Sequence, residues 1–257
     1  MKINRRTFTT SILAATATAA MPTVSQSTAP DEFKSRNVVL LHGLFADGSS
    51  WSEVIPLLQA QGLNVTSVQN PLTTLPEAVQ ACYRVLDRQE GPAVLVGHSF
   101  SGMIVTEAGM HRTVSSLVYV AARAPDANED YSALAKKFAT PPGSAGVVFD
   151  KDEGRLTEDA FLRDFAPDLP VTKAKALYAA QWPFQKGLLA GRTTAAAWHS
   201  KPSYYAVSTQ DRIIDPELQR FLAKRMKAKT IELASSHVSL LSHPTEISEV
   251  IIEATKS

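Results

Sequence analysis

The chain has 257 residues, of which 44% are hydrophobic, and a formal net charge of +1. This length is enough for one large core, and the near-neutral charge without a basic block argues against a nucleic-acid partner. The single cysteine, Cys82, rules out an intrachain disulfide, and its place on the apolar side of a predicted helix indicates a buried thiol rather than a nucleophile.

The N-terminus has the pattern of an export signal. Lys2, Arg5 and Arg6 precede an uncharged stretch over residues 7–20 that is rich in small residues. Paired arginines at this position resemble a twin-arginine signal, so we predict a signal peptide over residues 1–26 and export to the periplasm or the medium. The alternative is a disordered basic tail on a cytoplasmic protein. Residues 27–36 are predicted to be a linker, and no later stretch is long and apolar enough to span a bilayer.

From residue 37 onward, short apolar runs alternate with segments of helical periodicity. Uninterrupted apolar strands of this kind are typical of a parallel sheet that is covered on both faces. The sequence therefore predicts an α/β fold with a mostly parallel twisted sheet and helices on both faces. The predicted strands are 37–43, 64–71, 92–99, 115–122, 202–209 and 229–235, and the predicted helices are 51–62, 75–91, 101–111, 216–228 and 244–255.

The alternation breaks between residues 123 and 201, a segment with many prolines and several helical pieces. We predict that this segment is a helical cap insertion over one end of the sheet, within a single domain that spans residues 37–257. Its aromatic residues could line an apolar pocket, although most are expected to pack the cap onto the sheet. They are Phe138, Phe149, Phe161, Phe165, Tyr178, Trp182, Phe184 and Trp198.

A serine stands at the end of the third predicted strand, in the stretch "LVGHSFSG" (95–102). Small residues surround Ser99, as a sharp strand-to-helix turn requires, and such a turn presents a serine hydroxyl as a nucleophile. The usual motif at such a turn is Gly-x-Ser-x-Gly. Here Ser101 replaces the last glycine, and it is a less likely nucleophile than Ser99. The alternative interpretation of Ser99 is an ordinary helix N-cap.

Two further candidate residues follow later strands. Asp211 comes after the strand 202–209 and His237 comes after the strand 229–235. Because the carboxyl ends of parallel strands meet at one edge of a sheet, we expect a hydroxyl, a carboxylate and an imidazole to lie close together there. Asp126, after the fourth strand, is the rival acid.

The other histidines have less specific settings. His98 is expected to pack in the core, His111 near a helix end, His199 on the surface and His243 at the entrance to the last helix. None has the spacing of metal ligands.

The loop after the first strand completes the predicted site. Acyl transfer needs backbone N–H donors that point at the developing oxyanion, and Leu44 in this loop and Phe100 after the serine are the candidates. Gly43 leaves the backbone free to turn. A phosphate-binding loop is the competing interpretation of the glycines at 43 and 48, but Ser49 stands where that loop needs a lysine.

The segments "LLHGLFADGSSW", "LVGHSFSG", "TQDRIIDPELQRFLAKRM" and "SSHVSLLSHP" resemble the α/β-hydrolase fold superfamily. Within it they are similar to the small serine esterases related to plant methylesterases and hydroxynitrile lyases. This resemblance implies a triad of Ser99, Asp211 and His237, no cofactor, and a cap that forms the substrate pocket. The lyase branch typically has threonine and lysine at the positions of Gly43 and Val238, so cyanohydrin cleavage is disfavoured.

The expected function is that of a carboxylesterase-type serine hydrolase, which cleaves esters of small, partly apolar molecules through an acyl-enzyme. The partner is then a small-molecule ester, with no cofactor, metal or nucleic acid. A lactonase or lyase on the same scaffold and a non-catalytic small-molecule binder are the alternatives.

Overall fold

A computed structural model describes residues 33–257, in which six parallel strands form the central sheet. They are β1 (Asn37–Leu41), β2 (Asn64–Val68), β3 (Ala93–His98), β4 (Val114–Val120), β8 (Ser203–Ser208) and β9 (Lys229–Leu233). Their order across the sheet is β2-β1-β3-β4-β8-β9. The central strands β1, β3, β4 and β8 are almost entirely buried, as their uninterrupted apolar runs predict. The predicted mostly parallel α/β architecture is therefore confirmed.

Helices connect these strands and cover both faces of the sheet. The chain runs outward from β1 to β2 and then back across β1 to β3, so right-handed crossovers place the first two helices on opposite faces. These helices are α1 (Val54–Ala60), α2 (Leu75–Leu86), α3 (Gly102–Ala108), α7 (Pro216–Arg225), α8 (Ser239–Ser242) and α9 (Pro244–Thr255). Helix α1 packs against α9, and α2 packs against α3.

The segment between β4 and β8 contains short helices and a second, antiparallel sheet. The helices are consistent with the helical pieces in the sequence, whereas the three strands were not predicted, because they are short and β5 is largely exposed. The elements are α4 (Tyr131–Ala135), β5 (Val147–Asp150), β6 (Glu153–Leu156), α5 (Glu158–Ala160), α6 (Val171–Ala179) and β7 (Phe184–Gln185).

Two sequence predictions concern the N-terminal segment and a possible membrane span. The predicted signal peptide and most of the linker fall on residues 1–32, outside the described residues. Within residues 33–257, no helix has the length and apolar character needed to cross a membrane.

Cys82 lies on the buried face of α2, and burial raises the pKa of its thiol to about 12, so the thiol is neutral and inert at physiological pH.

The start of α3 approaches the loop after β4 very closely. A Cβ atom placed on Gly102 would lie 1.8 Å from the backbone oxygen of Arg123 and 2.9 Å from the Cβ of Ala122. Only glycine lets these two backbones approach so closely. The loop is also held by the backbone N–H of Arg123, which donates to the backbone oxygen of Ser99 at 2.9 Å. The helix that follows Ser99 and the loop after β4 are thus one packed unit.

We predict that Gly102→Ala destabilises the protein by roughly 2–3 kcal/mol, because the added methyl group must displace backbone rather than a flexible side chain. Gly187→Ala is the matched control, since no atom lies within 4 Å of a Cβ at that position, and it should change stability by less than about 0.5 kcal/mol. Urea denaturation of both variants measures the difference. Equal effects would contradict the close approach.

Candidate active site

Ser99 occupies a sharp turn between β3 and α3. Its φ of +57° lies in the left-handed region, which costs a non-glycine residue about 1–2 kcal/mol. A 3-10 turn over Ser99–Ser101 follows at once and leads into α3. A Cβ on Gly97 would lie 2.8 Å from the Ser101 oxygen, and one on Gly43 would lie 2.7 Å from the Ser99 Cβ. The glycines therefore make room for a turn that lifts the serine hydroxyl away from the backbone.

The structure brings Ser99, His237 and Asp211 together in a chain of hydrogen bonds. The Ser99 Oγ lies 2.8 Å from the His237 Nε2, and the His237 Nδ1 lies 2.7 Å from the Asp211 Oδ2. A carboxylate only accepts, so Nδ1 carries the proton and Nε2 is the acceptor for the serine hydroxyl. Both side chains of the His237–Asp211 pair are fully buried. This arrangement can draw the proton from the hydroxyl and activate its oxygen.

Asp211 is held by four donors. Its Oδ1 accepts from the backbone N–H groups of Ile213 (2.7 Å) and Ile214 (3.0 Å). Its Oδ2 accepts from the Gln219 Nε2 at 2.7 Å and from His237. Hydrogen bonds to the charged form offset the desolvation of a buried carboxylate and fix its orientation. The loop after β8 and the first turns of α7 thus hold the Asp211 carboxylate in one orientation.

His237 packs between two rings and is anchored through its backbone. Its ring centroid lies 4.7 Å from that of His98 and 5.3 Å from that of Phe165. The His98 Nε2 lies 2.9 Å from the His237 oxygen, which can only accept, so His98 carries its proton on Nε2. Burial, followed by the proximity of His237, holds the pKa of His98 well below its ordinary value. His98 therefore supports the loop as a neutral ring.

A carboxylate from the insertion fixes the residue before His237. Asp168 accepts from the Ser236 N–H at 2.8 Å and from the Ser236 Oγ at 2.5 Å. The chain at this point follows β9 and has no strand partner of its own, so the carboxylate supplies the missing acceptor. The insertion is in this way connected directly to the loop that carries the imidazole.

Leu44 and Phe100 flank the serine with free backbone donors. Leu44 follows Gly43, which lies against Ser99, and Phe100 follows Ser99 in the turn. Within residues 33–257, neither the Leu44 N–H nor the Phe100 N–H donates a hydrogen bond. Two unpaired backbone donors beside a serine hydroxyl are an arrangement that can stabilise an oxyanion.

A cavity of about 260 Å³ opens at Ser99 between the sheet and the insertion. The insertion supplies Phe149 and Phe184 to its wall, whereas Phe165 packs on His237 and Trp182 is 66% exposed. The predicted aromatic pocket is therefore formed by two of the eight aromatics. The remaining lining residues are Leu44, Phe45, Arg123, Gly143, Ser144, Val147, Leu156, Leu189, Ile213 and Ile214.

The rival residues lie elsewhere. Asp126 pairs with His199 at 3.0 Å on the exposed side of the insertion, so it is not part of the serine–histidine chain. The Ser101 hydroxyl is buried and donates to the backbone oxygen of His42. His111 contacts Asp87 at 3.1 Å.

His243 precedes α9, as expected from the sequence. No group of three or more metal-ligating side chains is found in the part of the chain that the structure describes.

Two residues of the site were not predicted from the sequence. Gln219 lies on the buried face of α7, and a glutamine among the apolar positions of a helix just after Asp211 is a signal that could have identified it. Asp168 stands in a proline-rich loop, 68 residues before Ser236, and nothing in the sequence connects the two.

The comparison with protein families matches residues 38–250 to the model of the alpha/beta hydrolase family. The chain belongs to the alpha/beta hydrolase family. At the level of the family, the protein is a hydrolase.

Similar proteins support the predicted resemblance to plant methylesterases. This hydrolase is 24% identical to Methylesterase 2 of Arabidopsis thaliana, over 86% of this chain and 97% of that protein. It is also 24% identical to the Pyrethroid hydrolase of Sphingobium wenxiniae, over 84% of this chain and 86% of that protein. Among solved structures, polyneuridine aldehyde esterase superposes with a TM-score of 0.72 at 19% identity, covering 85% of this chain and 98% of the other. These structural similarities support the fold.

We predict that Gln219→Leu destabilises the protein by about 1–3 kcal/mol, because Asp211 loses a donor and the Ser208 N–H loses its acceptor, the Gln219 Oε1 at 3.0 Å. Gln80→Leu makes the same chemical change on the exposed face of α2 and should cost less than about 0.5 kcal/mol. Thermal unfolding compares them. A loss no larger for Gln219→Leu than for Gln80→Leu would contradict the role given to Gln219.

The lowered pKa of His98 predicts a pH dependence of stability. The unfolded chain binds the proton more readily, so the stability due to neutral His98 is present above about pH 6.5 and is lost as the pH falls below it. The loss is at most about 1.4 kcal/mol per pH unit for one histidine. Urea unfolding between pH 7.5 and 5.5 should show a shallower decline for His98→Asn than for wild type, and parallel curves would refute this origin.

Proposed function

We propose that this hydrolase is a serine esterase that cleaves carboxylic esters of small, partly apolar molecules through an acyl-enzyme. The observation that carries the proposal is the hydrogen-bond chain from the Ser99 Oγ through His237 to Asp211. The names of its relatives support ester chemistry, since they include methylesterases and a pyrethroid hydrolase. The apolar cavity at Ser99 supports a small substrate.

In the first half of the reaction, Ser99 attacks the ester carbonyl carbon. The His237 Nε2 takes the hydroxyl proton as the new bond from the Ser99 Oγ to the carbonyl carbon forms. The N–H groups of Leu44 and Phe100 stabilise the negative oxygen of the tetrahedral intermediate, each by about 3 kcal/mol in comparable sites. His237 then protonates the leaving alkoxide, the bond from the carbon to the alcohol oxygen breaks, and the acyl group stays on Ser99.

In the second half, water replaces the alcohol. His237 takes a proton from the water, whose oxygen attacks the acyl carbon, and then returns that proton to Ser99 as the carboxylic acid leaves. Asp211 keeps the imidazole in one tautomer throughout and stabilises the imidazolium. The net reaction consumes one ester and one water and yields one alcohol and one acid.

We predict that Ser99→Ala lowers kcat for p-nitrophenyl butyrate by at least about 10⁴-fold, since the nucleophile is lost while the cavity remains. His237→Ala should have a similar effect and should also abolish labelling by a fluorophosphonate. The measurement is release of p-nitrophenolate by proteins whose thermal unfolding has been compared.

Ser101→Ala is the matched control, because its hydroxyl bonds the His42 backbone and not His237. Its activity should stay within about tenfold of wild type. Turnover by Ser99→Ala at the wild-type rate would remove Ser99 from the mechanism. Activity confined to cyclic esters would favour a lactonase.

We also propose that the protein is exported by a twin-arginine pathway, on the basis of Arg5, Arg6 and the uncharged stretch that follows them. In a bacterium with this pathway, replacing both arginines by lysine should leave the full-length chain in the cytoplasm. Lys2→Arg is the control and should be exported as wild type. Equal amounts of the double variant and wild type outside the cytoplasm would contradict the proposal.

A further inference from the structure

The cavity at Ser99 contains one charged side chain that the proposed reaction does not use. Among the residues that line it, Arg123 alone carries a charge, and the other lining side chains are apolar apart from two serines. Arg123 follows β4 at the carboxyl edge of the sheet and is bound through its backbone to Ser99. The cation therefore belongs to the wall of the reaction chamber and not to the outer surface.

No carboxylate neutralises this guanidinium. Within residues 33–257, Arg123 forms no ion pair, and its one side-chain hydrogen bond goes to the Met103 Sδ at 3.9 Å, a weak acceptor. Its carbon Cζ lies over two aromatic rings, 5.4 Å from the centroid of Phe100 and 4.8 Å from that of Tyr131. The rings hold the guanidinium in place but accept none of its N–H donors in the way that an oxygen does.

Tyr131 does not act as the missing counter-ion. Burial raises the pKa of its phenol to about 12, so the ring remains neutral at physiological pH. Burial also lowers the pKa of Arg123, because removing a cation from water is unfavourable when no anion pairs with it.

Arg225 shows how the same fold treats an arginine with a structural role. Its guanidinium also lies over two rings, Trp198 at 5.5 Å and Phe221 at 5.4 Å. Unlike Arg123, it pairs with Glu129 at 2.8 Å and donates to the oxygen of Ala124 at 2.7 Å. Each of these two arginines lies over two aromatic rings, and of the two only the one in the cavity lacks an anionic partner.

We propose that Arg123 is a subsite for a carboxylate of the substrate, so that the preferred substrate is a half-ester of a short dicarboxylic acid. This inference rests on the proposed esterase function. A single cation matches a monoanion, whereas a phosphate dianion would need a second positive group that the cavity wall lacks. The apolar wall accommodates the methylene groups between the two ends, and the volume of about 260 Å³ restricts the chain to a few carbons.

The test compares methyl hydrogen glutarate with its neutral primary amide, methyl 4-carbamoylbutanoate, which has nearly the same shape. Wild type should hydrolyse the half-ester with a kcat/KM at least about tenfold higher, mainly through KM, as expected for a charge-assisted hydrogen bond. Arg123→Met should remove this preference by lowering kcat/KM for the half-ester at least about tenfold, with the amide changed less than about threefold. Arg123→Lys, which keeps the charge, should retain part of the preference.

Arg225→Met is the matched control, because it removes a ring-stacked arginine outside the cavity, and it should leave the ratio between the two esters unchanged. If Arg123→Met lowered both esters equally, Arg123 would be a structural residue and the proposal would be wrong. The same conclusion would follow if wild type did not distinguish the half-ester from the amide.

A binding experiment separates this proposal from the proposed function. Calorimetry with glutarate should detect binding to Ser99→Ala and a loss of at least about tenfold in affinity when Arg123→Met is added. Arg123-dependent glutarate binding without hydrolysis of any ester would overturn the esterase function and leave the subsite standing. Hydrolysis of neutral esters, with no glutarate binding and no preference for the half-ester, would overturn the subsite alone.

Discussion

The left-handed backbone at Ser99 is the constraint from which the rest of the site follows. A serine at φ of +57° is unfavourable by itself, so the surrounding structure must hold it there. The buried strand β3, with its close contact at Gly97, fixes the start of the turn, and close contacts at Gly43 and Gly102 pack around the rest of it. Because the turn is packed from all sides, the hydroxyl stands at the edge of the sheet in a defined position.

The partners of that hydroxyl are positioned by the same edge of the sheet. β8 lies beside β4, and β9 lies beside β8; both run parallel to β3, and the loops that follow them carry Asp211 and His237. Each is then fixed by groups from other elements: Gln219 of α7 bonds Asp211, and His98 of β3 bonds the backbone of His237. Oriented dipoles in a buried site act more strongly than in water and need no reorganisation during a reaction. The insertion contributes through Asp168 and through the wall of the cavity.

The sequence predicted most of the framework because its signals are local. Uninterrupted apolar runs identify the buried strands, and α9 begins at Pro244 and ends at Thr255 as predicted. The alternation of strands and helices predicts that the strands run parallel, so Ser99, Asp211 and His237 could be placed at one edge before any coordinates were known. Local signals predicted the end of α3 less accurately: the helix stops at Ala108, before the predicted end at residue 111.

The features that the sequence did not predict depend on contacts between distant segments. The strands β5–β7 are stabilised by pairing across the insertion and have no strong periodicity of their own. Asp168 becomes part of the site only because its loop packs beside Ser236. Arg123 reads as an ordinary charged loop residue until the structure places it in the cavity wall without a carboxylate.

The most direct measurement of the central claim is a crystal structure of the protein after reaction with diethyl p-nitrophenyl phosphate. The account predicts that phosphorus is bonded to the Ser99 Oγ, p-nitrophenolate having left. One phosphoryl oxygen should then lie about 3 Å from the N–H groups of both Leu44 and Phe100. An unmodified Ser99 in an enzyme that has lost its activity, or an adduct on another residue, would contradict it.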